Sequence, residues 1–329
     1  MSELGWGIMA TGGIARQFAK DLKLDGHRLA AVGSRDVRKA QAFADQFGAE
    51  RAHGSYEDLA ADPAVDIVYV ATPHTHHLTG ALTAIEAGKH VLVEKPLTVN
   101  AAEARALAKA AQQAGVTAME AMWTRFLPHM IRLRELIAEG VLGELEGLVA
   151  DHTQALPDDP RHRLNDPALG GGALLDLGVY PISFAFDLLG RPSGIDVKSS
   201  SLGPTGVDKS VAAEFAYPSG ARALWVTGSD NRGPNVAVVL GSRAQAKLDA
   251  VWYTPTQMRI STPDGKVVGA FEGATPGRGM QFQARELERL VEEGKPTSDL
   301  MPLTQSIAIM EVMDQIRAQI GVRYAADSA

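Results

Sequence analysis

The 329-residue chain contains no cysteine, and that absence excludes disulfides, thiol nucleophiles, Fe–S clusters and cysteine-based zinc sites. Catalysis, if there is any, has to use other side chains or a cofactor. The chain also lacks an excess of positive charge. Its 32 Lys and Arg against 39 Asp and Glu leave −7, which argues against general attraction to nucleic acid or to anionic membranes. No run approaches the roughly 18 uninterrupted apolar residues of a membrane span, and the N-terminal MSELGWGIMATGG has no basic region ahead of an apolar one. A cytoplasmic protein, neither exported nor membrane-bound, is therefore expected. The composition is 45% apolar and 22% charged, an ordinary globular mixture at a length that suits two domains.

Up to residue 122, short apolar runs at 6–9, 29–32, 67–71, 90–93 and 116–119 alternate with helical patterns at 15–22, 37–47, 77–87 and 101–114. That alternation predicts a doubly wound parallel sheet, with Gly88 and Gly115 placed as helix C-caps. From about residue 149 the pattern changes. Runs at 147–153, 211–217, 221–228, 236–241, 246–251 and 257–261 follow one another across short turns, which implies a mainly antiparallel sheet. Two helical patterns, 281–293 and 303–320, close the chain. The expected domains are thus 1–122 and 123–329.

Ala10-Thr11-Gly12-Gly13-Ile14-Ala15 stands where the first strand meets the first helix. This is the place of the glycine-rich turn that lets backbone N–H groups approach a pyrophosphate, although its first position is Ala10. A literal G-x-G-x-x-A at 5–10 has too little chain before it to form a strand feeding the turn. A turn without a ligand is the plain alternative for 10–15. At the end of the second strand Ser34 and Arg35 replace the usual acidic residue, and with Arg38 one turn on they suit the 2′-phosphate of NADP. Asp36 speaks against this, and a solvated basic turn would look the same. Lys95, in Glu94-Lys95-Pro96, falls at the carboxyl end of a parallel strand, where open α/β sheets bind ligands. It is either a substrate-binding and proton-transfer group or a surface lysine ahead of a strand-ending proline.

In Gly170-Gly171-Gly172-Ala173-Leu174-Leu175-Asp176-Leu177-Gly178-Val179-Tyr180, the residues Asp176 and Tyr180, with Ser183 and Asp187, share one face of an otherwise apolar helix. That stripe suggests a wet cavity, with Tyr180 exchanging protons. A helix that merely satisfies buried backbone would carry the same residues. Pro181 is expected to bend the helix. Thr72, Pro73, His74 and His77 at another strand end suggest a helix start facing a cofactor cleft; with no acidic partner at ligand-like spacing, no metal is assigned. Trp123 and Arg125 open the second domain, where they either face that cleft or pack at the junction.

Taken together, these residues resemble the Gfo/Idh/MocA oxidoreductase family. The resemblance rests on 10–15, on Ala71-Thr72-Pro73 with His77, on 87–97 with its Glu-Lys-Pro, on 176–180 and on Met313-Asp314-Gln315-Ile316-Arg317. Glu-Ala-Met-Trp-Thr-Arg-Phe at 120–126, with Tyr180, is most similar to the branch of dimeric dihydrodiol dehydrogenases and NADP-dependent D-xylose dehydrogenases. The resemblance implies a Rossmann domain followed by an open-faced, mainly antiparallel β-sheet domain with flanking helices, with nicotinamide and substrate between them. It further implies that Lys95 orients a substrate hydroxyl, Tyr180 is the general acid/base, and Asp176 holds substrate or Tyr180. A cofactor contact is expected at Ala10, Gly12, Gly13, Ile14, Ala15, Ser34, Arg35, Arg38, Thr72, Pro73, His74, His77, Glu94, Lys95, Trp123 and Arg125. Many members of the family carry His where Tyr180 stands. The implied activity is NAD(P)-dependent hydride transfer, NADP preferred, on a sugar, polyol or dihydrodiol by a homodimer or larger homo-oligomer. An NAD-dependent glycoside hydrolase and a non-catalytic NADP-binding regulator are the alternatives; the joint presence of Lys95 and Tyr180 speaks against the regulator.

Overall fold

In the computed structural model, which describes residues 3–328, the short apolar runs pair first. Gly5–Met9 (β1), Arg28–Gly33 (β2), Arg51–His53 (β3), Ile67–Val70 (β4), His90–Glu94 (β5) and Ala118–Ala121 (β6) form one parallel sheet in the order β3-β2-β1-β4-β5-β6. Every residue of β1, β4 and β6 is buried, as strands covered on both faces require. The connections carry helices Gly13–Asp25 (α1), Val37–Phe47 (α2), Tyr56–Ala61 (α3), His77–Glu86 (α4) and Ala101–Ala114 (α5). Gly115 ends α5 with φ 68, the left-handed C-cap expected of it. Strand order reverses between β1 and β4, and such a switch point opens a crevice at the strands' carboxyl ends. The sequence reading contained neither β3 nor α3; three and six residues are too few to show a period.

Beyond Trp123, Pro128–Ala138 (α6) leads into Leu145–Thr153 (β7). A wide π-type turn, Leu174–Gly178, then runs into Val179–Leu189 (α7). Gly194–Leu202 (β8), Asp208–Ala216 (β9), Arg222–Gly228 (β10), Ala237–Gly241 (β11), Gln245–Leu248 (β12), Met258–Ser261 (β13) and Val267–Phe271 (β14) complete a sheet ordered β14-β13-β12-β11-β7-β10-β9-β8. All neighbours are antiparallel except β7 and β10, so the sheet is mainly antiparallel as expected. α7 packs on β7 and β10, burying Tyr180, Ile182 and Phe184. Along β10 alternate residues are exposed, and Leu224 is 45% accessible. The segment Pro167–Leu189 is long and apolar enough to cross a membrane, yet 83% of its apolar window is buried in the protein; it is the core helix of this sheet. β8 escaped the sequence reading because its residues are mostly polar and exposed.

The last helices are Gln281–Glu292 (α8) and Leu303–Ile320 (α9). Here the expected contiguous second domain, 123–329, needs correcting. Pro276–Ile307 belongs with the residues up to Trp123, whereas Thr124–Thr275 and the residues from Ala308 onward form the other compact unit. Polar groups that periodicity cannot see cause the return. The Asp21 carboxylate accepts the Arg278 and Met280 N–H groups at 3.1 and 2.9 Å, and the Trp6 indole donates to Glu288 at 2.7 Å. His27 bridges Glu288 and Asp25 at 2.8 and 2.9 Å.

Candidate active site

The glycine turn lies where β1 hands over to α1. Ala10 has φ 82, and its N–H bonds the Gly33 carbonyl at 2.9 Å. An alanine held in that left-handed region carries strain of about 1 kcal/mol or more, which glycine would not. Gly12 caps α1 with no side-chain hydrogen bond, and the first turn, Gly13, Ile14 and Ala15, contains no acidic residue. A Cβ on Gly12 or Gly13 would meet nothing within 4 Å. Open space in front of uncapped N–H groups at a helix N-terminus fits a dinucleotide pyrophosphate. Gly5 and Gly7 serve packing instead: a Cβ there would lie 2.0 Å from the Ala64 carbonyl oxygen and 2.8 Å from Val65.

At the end of β2, Ser34 is buried and Arg35 exposed. Asp36 caps α2, accepting the Arg38 N–H at 3.0 Å and pairing with the Arg38 guanidinium at 3.1 Å. That guanidinium holds the Asp36 carboxyl below the usual carboxylate range. The acid counted against NADP is thus engaged with Arg38, and Ser34 and Arg35 remain as the groups suited to a ribose phosphate.

Thr72 and Pro73 follow β4, and Lys95 follows Glu94 at the end of β5. His77 is fully buried, with Nδ1 2.8 Å from the Pro96 carbonyl oxygen and Nε2 3.1 Å from that of Thr72. Burial and then the neighbouring His74 push its pKa down to about 3. A neutral imidazole has one N–H, so His77, set between the Thr72 and Pro96 carbonyls, donates to one of them at a time. His74 packs edge-on against it, ring centroids 5.6 Å apart. The Tyr69 hydroxyl donates to one Glu94 oxygen, and the Lys95 N–H donates to the other at 3.2 Å. Lys95 itself is buried and joined to Pro96 by a cis peptide. Trp123, just past β6, lies under the Arg278 guanidinium, 4.9 Å from the ring centroid. The predicted cofactor residues of this unit therefore gather along the carboxyl ends of β1, β2, β4, β5 and β6.

In the other unit the glycine run has steric causes. A Cβ on Gly171 would sit 2.7 Å from the Leu164 carbonyl oxygen; on Gly172, at φ 126, it would sit 2.4 Å from Asp208 Oδ1. This close approach lets the Asp208 carboxylate accept the Leu174 N–H at 2.6 Å, while the Tyr324 hydroxyl donates to the Gly171 carbonyl. The held turn then presents Asp176 and, at the start of α7, Tyr180. π-type turns of this kind often occur at functional sites. Asp176 is buried and accepts from the half-exposed Arg163 guanidinium at 3.3 Å. Tyr180 meets the His152 ring edge-on at 4.7 Å and the Tyr253 ring at 5.3 Å. His152 stacks on Tyr253, centroids 3.7 Å apart, and Gln154 Nε2 lies 2.9 Å from His152 Nε2.

Comparison with known proteins bears on both units. A profile described as the oxidoreductase family with an NAD-binding Rossmann fold matches residues 4–122, and the GFO/IDH/MocA C-terminal domain profile matches residues 130–247. The chain belongs to the Gfo/Idh/MocA oxidoreductase family. It is 35% identical to mouse (Mus musculus) trans-1,2-dihydrobenzene-1,2-diol dehydrogenase, over 98% of this chain and 99% of that protein. It is 36% identical to the NADP(+) D-xylose 1-dehydrogenase of Hypocrea jecorina, over 98% and 93%. Among solved structures, aldose-aldose oxidoreductase from Caulobacter crescentus, complexed with glycerol, superposes with a TM-score of 0.87 at 28% identity, over 97% of this chain and 98% of that one. The fold and the class of activity implied by the resemblance, an NAD(P)-dependent oxidoreductase with a Rossmann domain and a mainly antiparallel partner sheet, stand on these matches.

One expectation changes in this Gfo/Idh/MocA protein. The polar stripe on α7 does not line one wet cavity. Its lower half is a buried seam, in which Arg125 Nε donates to Ser183 Oγ at 2.9 Å and Arg134 pairs with Asp187 at 2.7 Å. Arg125, 2% exposed, also donates to the Ser183 carbonyl at 2.7 Å and so braces the helix bearing Tyr180. The sequence reading did not include His152, Gln154, Tyr253 or Arg163 as site residues. His152 and Tyr253 are 101 positions apart, and no spacing rule joins them.

Asp208 yields a pH prediction. Complete burial pushes its pKa from 3.8 up to about 6, against the lowering effect of the backbone N–H groups it accepts from. The folded protein therefore binds this proton more tightly than the unfolded chain, so its stabilising contribution is full below pH 4 and is lost as pH rises through 6. At ~1.4 kcal/mol per unit, the loss is about 3 kcal/mol. Asp208→Asn keeps an acceptor for the Leu174 N–H but cannot titrate. In urea unfolding, the stability of wild type minus that of the variant should fall by this amount between pH 4 and 7; a flat difference would refute the assignment.

Proposed function

We propose that this chain is an NADP-preferring dehydrogenase and reductase that interconverts a sugar or polyol CH–OH group and its carbonyl. The observation that carries the reading is the setting of Tyr180: a group able to exchange a proton, beside His152 and Tyr253, on the helix headed by the Arg163–Asp176 pair. Tyr180 together with Asp176 offers more than one hydrogen bond to a polyhydroxylated ligand. The two substrates in the relatives' names, a dihydrobenzenediol and D-xylose, share neighbouring hydroxyl groups.

In this reading Gly12, Gly13, Ile14 and Ala15 hold the pyrophosphate at the start of α1, and Ser34 and Arg35 hold the 2′-phosphate. When bound, nicotinamide accepts a hydride from the substrate carbon or returns it. The Tyr180 phenolate oxygen takes the hydroxyl proton in oxidation, and the resulting phenol gives it back in reduction. The Lys95 ammonium donates to the substrate oxygen and stabilises the charge that develops there. Asp176 accepts a hydrogen bond from a second hydroxyl. Absorbance at 340 nm with a panel of sugars, polyols and dihydrodiols, each with NADP and with NAD, tests the reaction class. Growth of NADPH with a sugar or polyol supports the proposal, and silence across the panel with cofactor bound opposes it. Arg35→Ala should raise KM for NADP about 10- to 100-fold, the range for one charged hydrogen bond, with KM for NAD nearly unchanged; equal effects on both would remove Arg35 from the phosphate site.

The same reading includes a homodimer formed through the open sheet face. Val149, Val226 and Leu240 join Leu224 there as exposed apolar side chains, in and beside a groove of about 540 Å³ lined also by Ala212, Val236 and Val238. A contiguous apolar patch on an exposed face marks an interaction surface, and the ion pairs of Glu214 with Arg222 and Lys198 supply polar groups at its side. Light scattering should give a dimer for the wild type and a monomer for Leu224→Glu; a wild-type monomer would sink this part.

A further inference from the structure

We propose that His152 is the positioning residue for Tyr180, an inference that rests on the proton-exchange role given to Tyr180 above. His152 is 1% exposed and Tyr180 6%, so neither ring can be oriented by solvent. One face of the imidazole lies on Tyr253, at 3.7 Å and 26°, and its contact with Tyr180 is edge-on, at 4.7 Å and 73°. The Gln154 amide nitrogen lies 2.9 Å from His152 Nε2, a third contact on the ring.

The backbone around this clamp is pinned on every side. Thr227 Oγ1 donates to the His152 carbonyl at 3.0 Å. The neighbouring Asp151 carboxylate accepts the Asn235 and Val236 N–H groups at 2.8 and 2.9 Å, and Asn235 Oδ1 accepts the Thr153 N–H at 3.0 Å. Tyr253 is fixed in turn by Thr124 Oγ1, which donates to its carbonyl at 3.1 Å, and by the adjoining Trp252 indole, which donates to the Asp151 carbonyl at 2.7 Å. Proton transfer from a phenol depends steeply on where its oxygen points, and a displacement of about 1 Å can lower a rate ~100-fold. A ring gripped by a second ring, by an amide and by a pinned strand supplies that fixed orientation. His152 touches Tyr180 and acts through it.

Single and double variants of the full chain test this, assayed with NADP and the best substrate of the panel. His152→Ala should lower kcat by about 10- to 100-fold while KM for substrate and Kd for NADP stay within about threefold. His152→Phe, which keeps a ring against Tyr180, should recover most of that loss. His152→Ala added to Tyr180→Phe should cause little further loss, since residues that act as one unit are not additive. Gln154→Ala, at a half-buried position that folding tolerates, should lower kcat in the same sense by a smaller factor. Unchanged kcat in both His152→Ala and Gln154→Ala, or losses that multiply with Tyr180→Phe, overturns the inference alone. Wild-type kcat in Tyr180→Phe overturns the proton-exchange reading and the inference with it.

Discussion

Tyr180→Phe is expected to lower kcat by about 10²- to 10⁴-fold, the usual contribution of a positioned acid or base, with cofactor binding intact. The variant removes one oxygen and keeps the ring that packs against His152 and Tyr253, so the fold and the aromatic cluster should survive. Steady-state kinetics and NADP titration by fluorescence quenching check both halves of the expectation. Positive charge beside the reacting atoms stabilises the oxygens between which the proton passes. Turnover at the wild-type level would remove Tyr180 from the chemistry.

Lys95→Met should be the second large effect, about 10²- to 10³-fold in kcat, the range for losing one donor to a developing oxyanion. Methionine is about as long as lysine and apolar, so it fills the volume of a buried side chain without its charge. Much of the local structure serves to place this residue. Glu94 is held by the Tyr69 hydroxyl and accepts the Lys95 N–H, and His77 reaches the Pro96 carbonyl one residue on. Burial holds the His77 pKa down at about 3, so it keeps a single ring N–H as pH falls toward 5. If Lys95→Met keeps wild-type kcat with NADP bound, the ammonium does not act on the reacting oxygen.

The Rossmann half was legible because its signals are local. Apolar strands alternate with amphipathic helices, glycines stand at helix ends, and Ala10–Ala15 keeps the turn even though its first glycine is missing. The return of α8 was not legible, because the groups that draw it back, Asp21, Glu288 and His27, look like ordinary surface polar residues in sequence. Asp176 and Tyr180 could be singled out from spacing alone, yet the same spacing misled further along α7. Ser183 and Asp187 continue the stripe and are used up by Arg125 and Arg134, long-range partners that no periodicity reveals. The neighbours of Tyr180 are non-local as well: His152 comes from β7 and Tyr253 from the loop after β12. Polar residues in strands and loops carry little pattern until pairing brings them together, and so the clamp emerges only in three dimensions.

The central claim is hydride transfer from a substrate carbon with net formation of reduced cofactor. Its most direct test takes the best substrate of the panel, deuterated at the carbon that is oxidised, incubates it with the protein and NADP, and follows the label by NMR of the recovered nucleotide. One deuterium at nicotinamide C4 is expected per substrate molecule oxidised, with the labelling rate lowered about 100-fold or more by Lys95→Met and by Tyr180→Phe. Sugar consumed with no net labelled NADPH, as a hydrolase that re-reduces its own substrate would give, would contradict it.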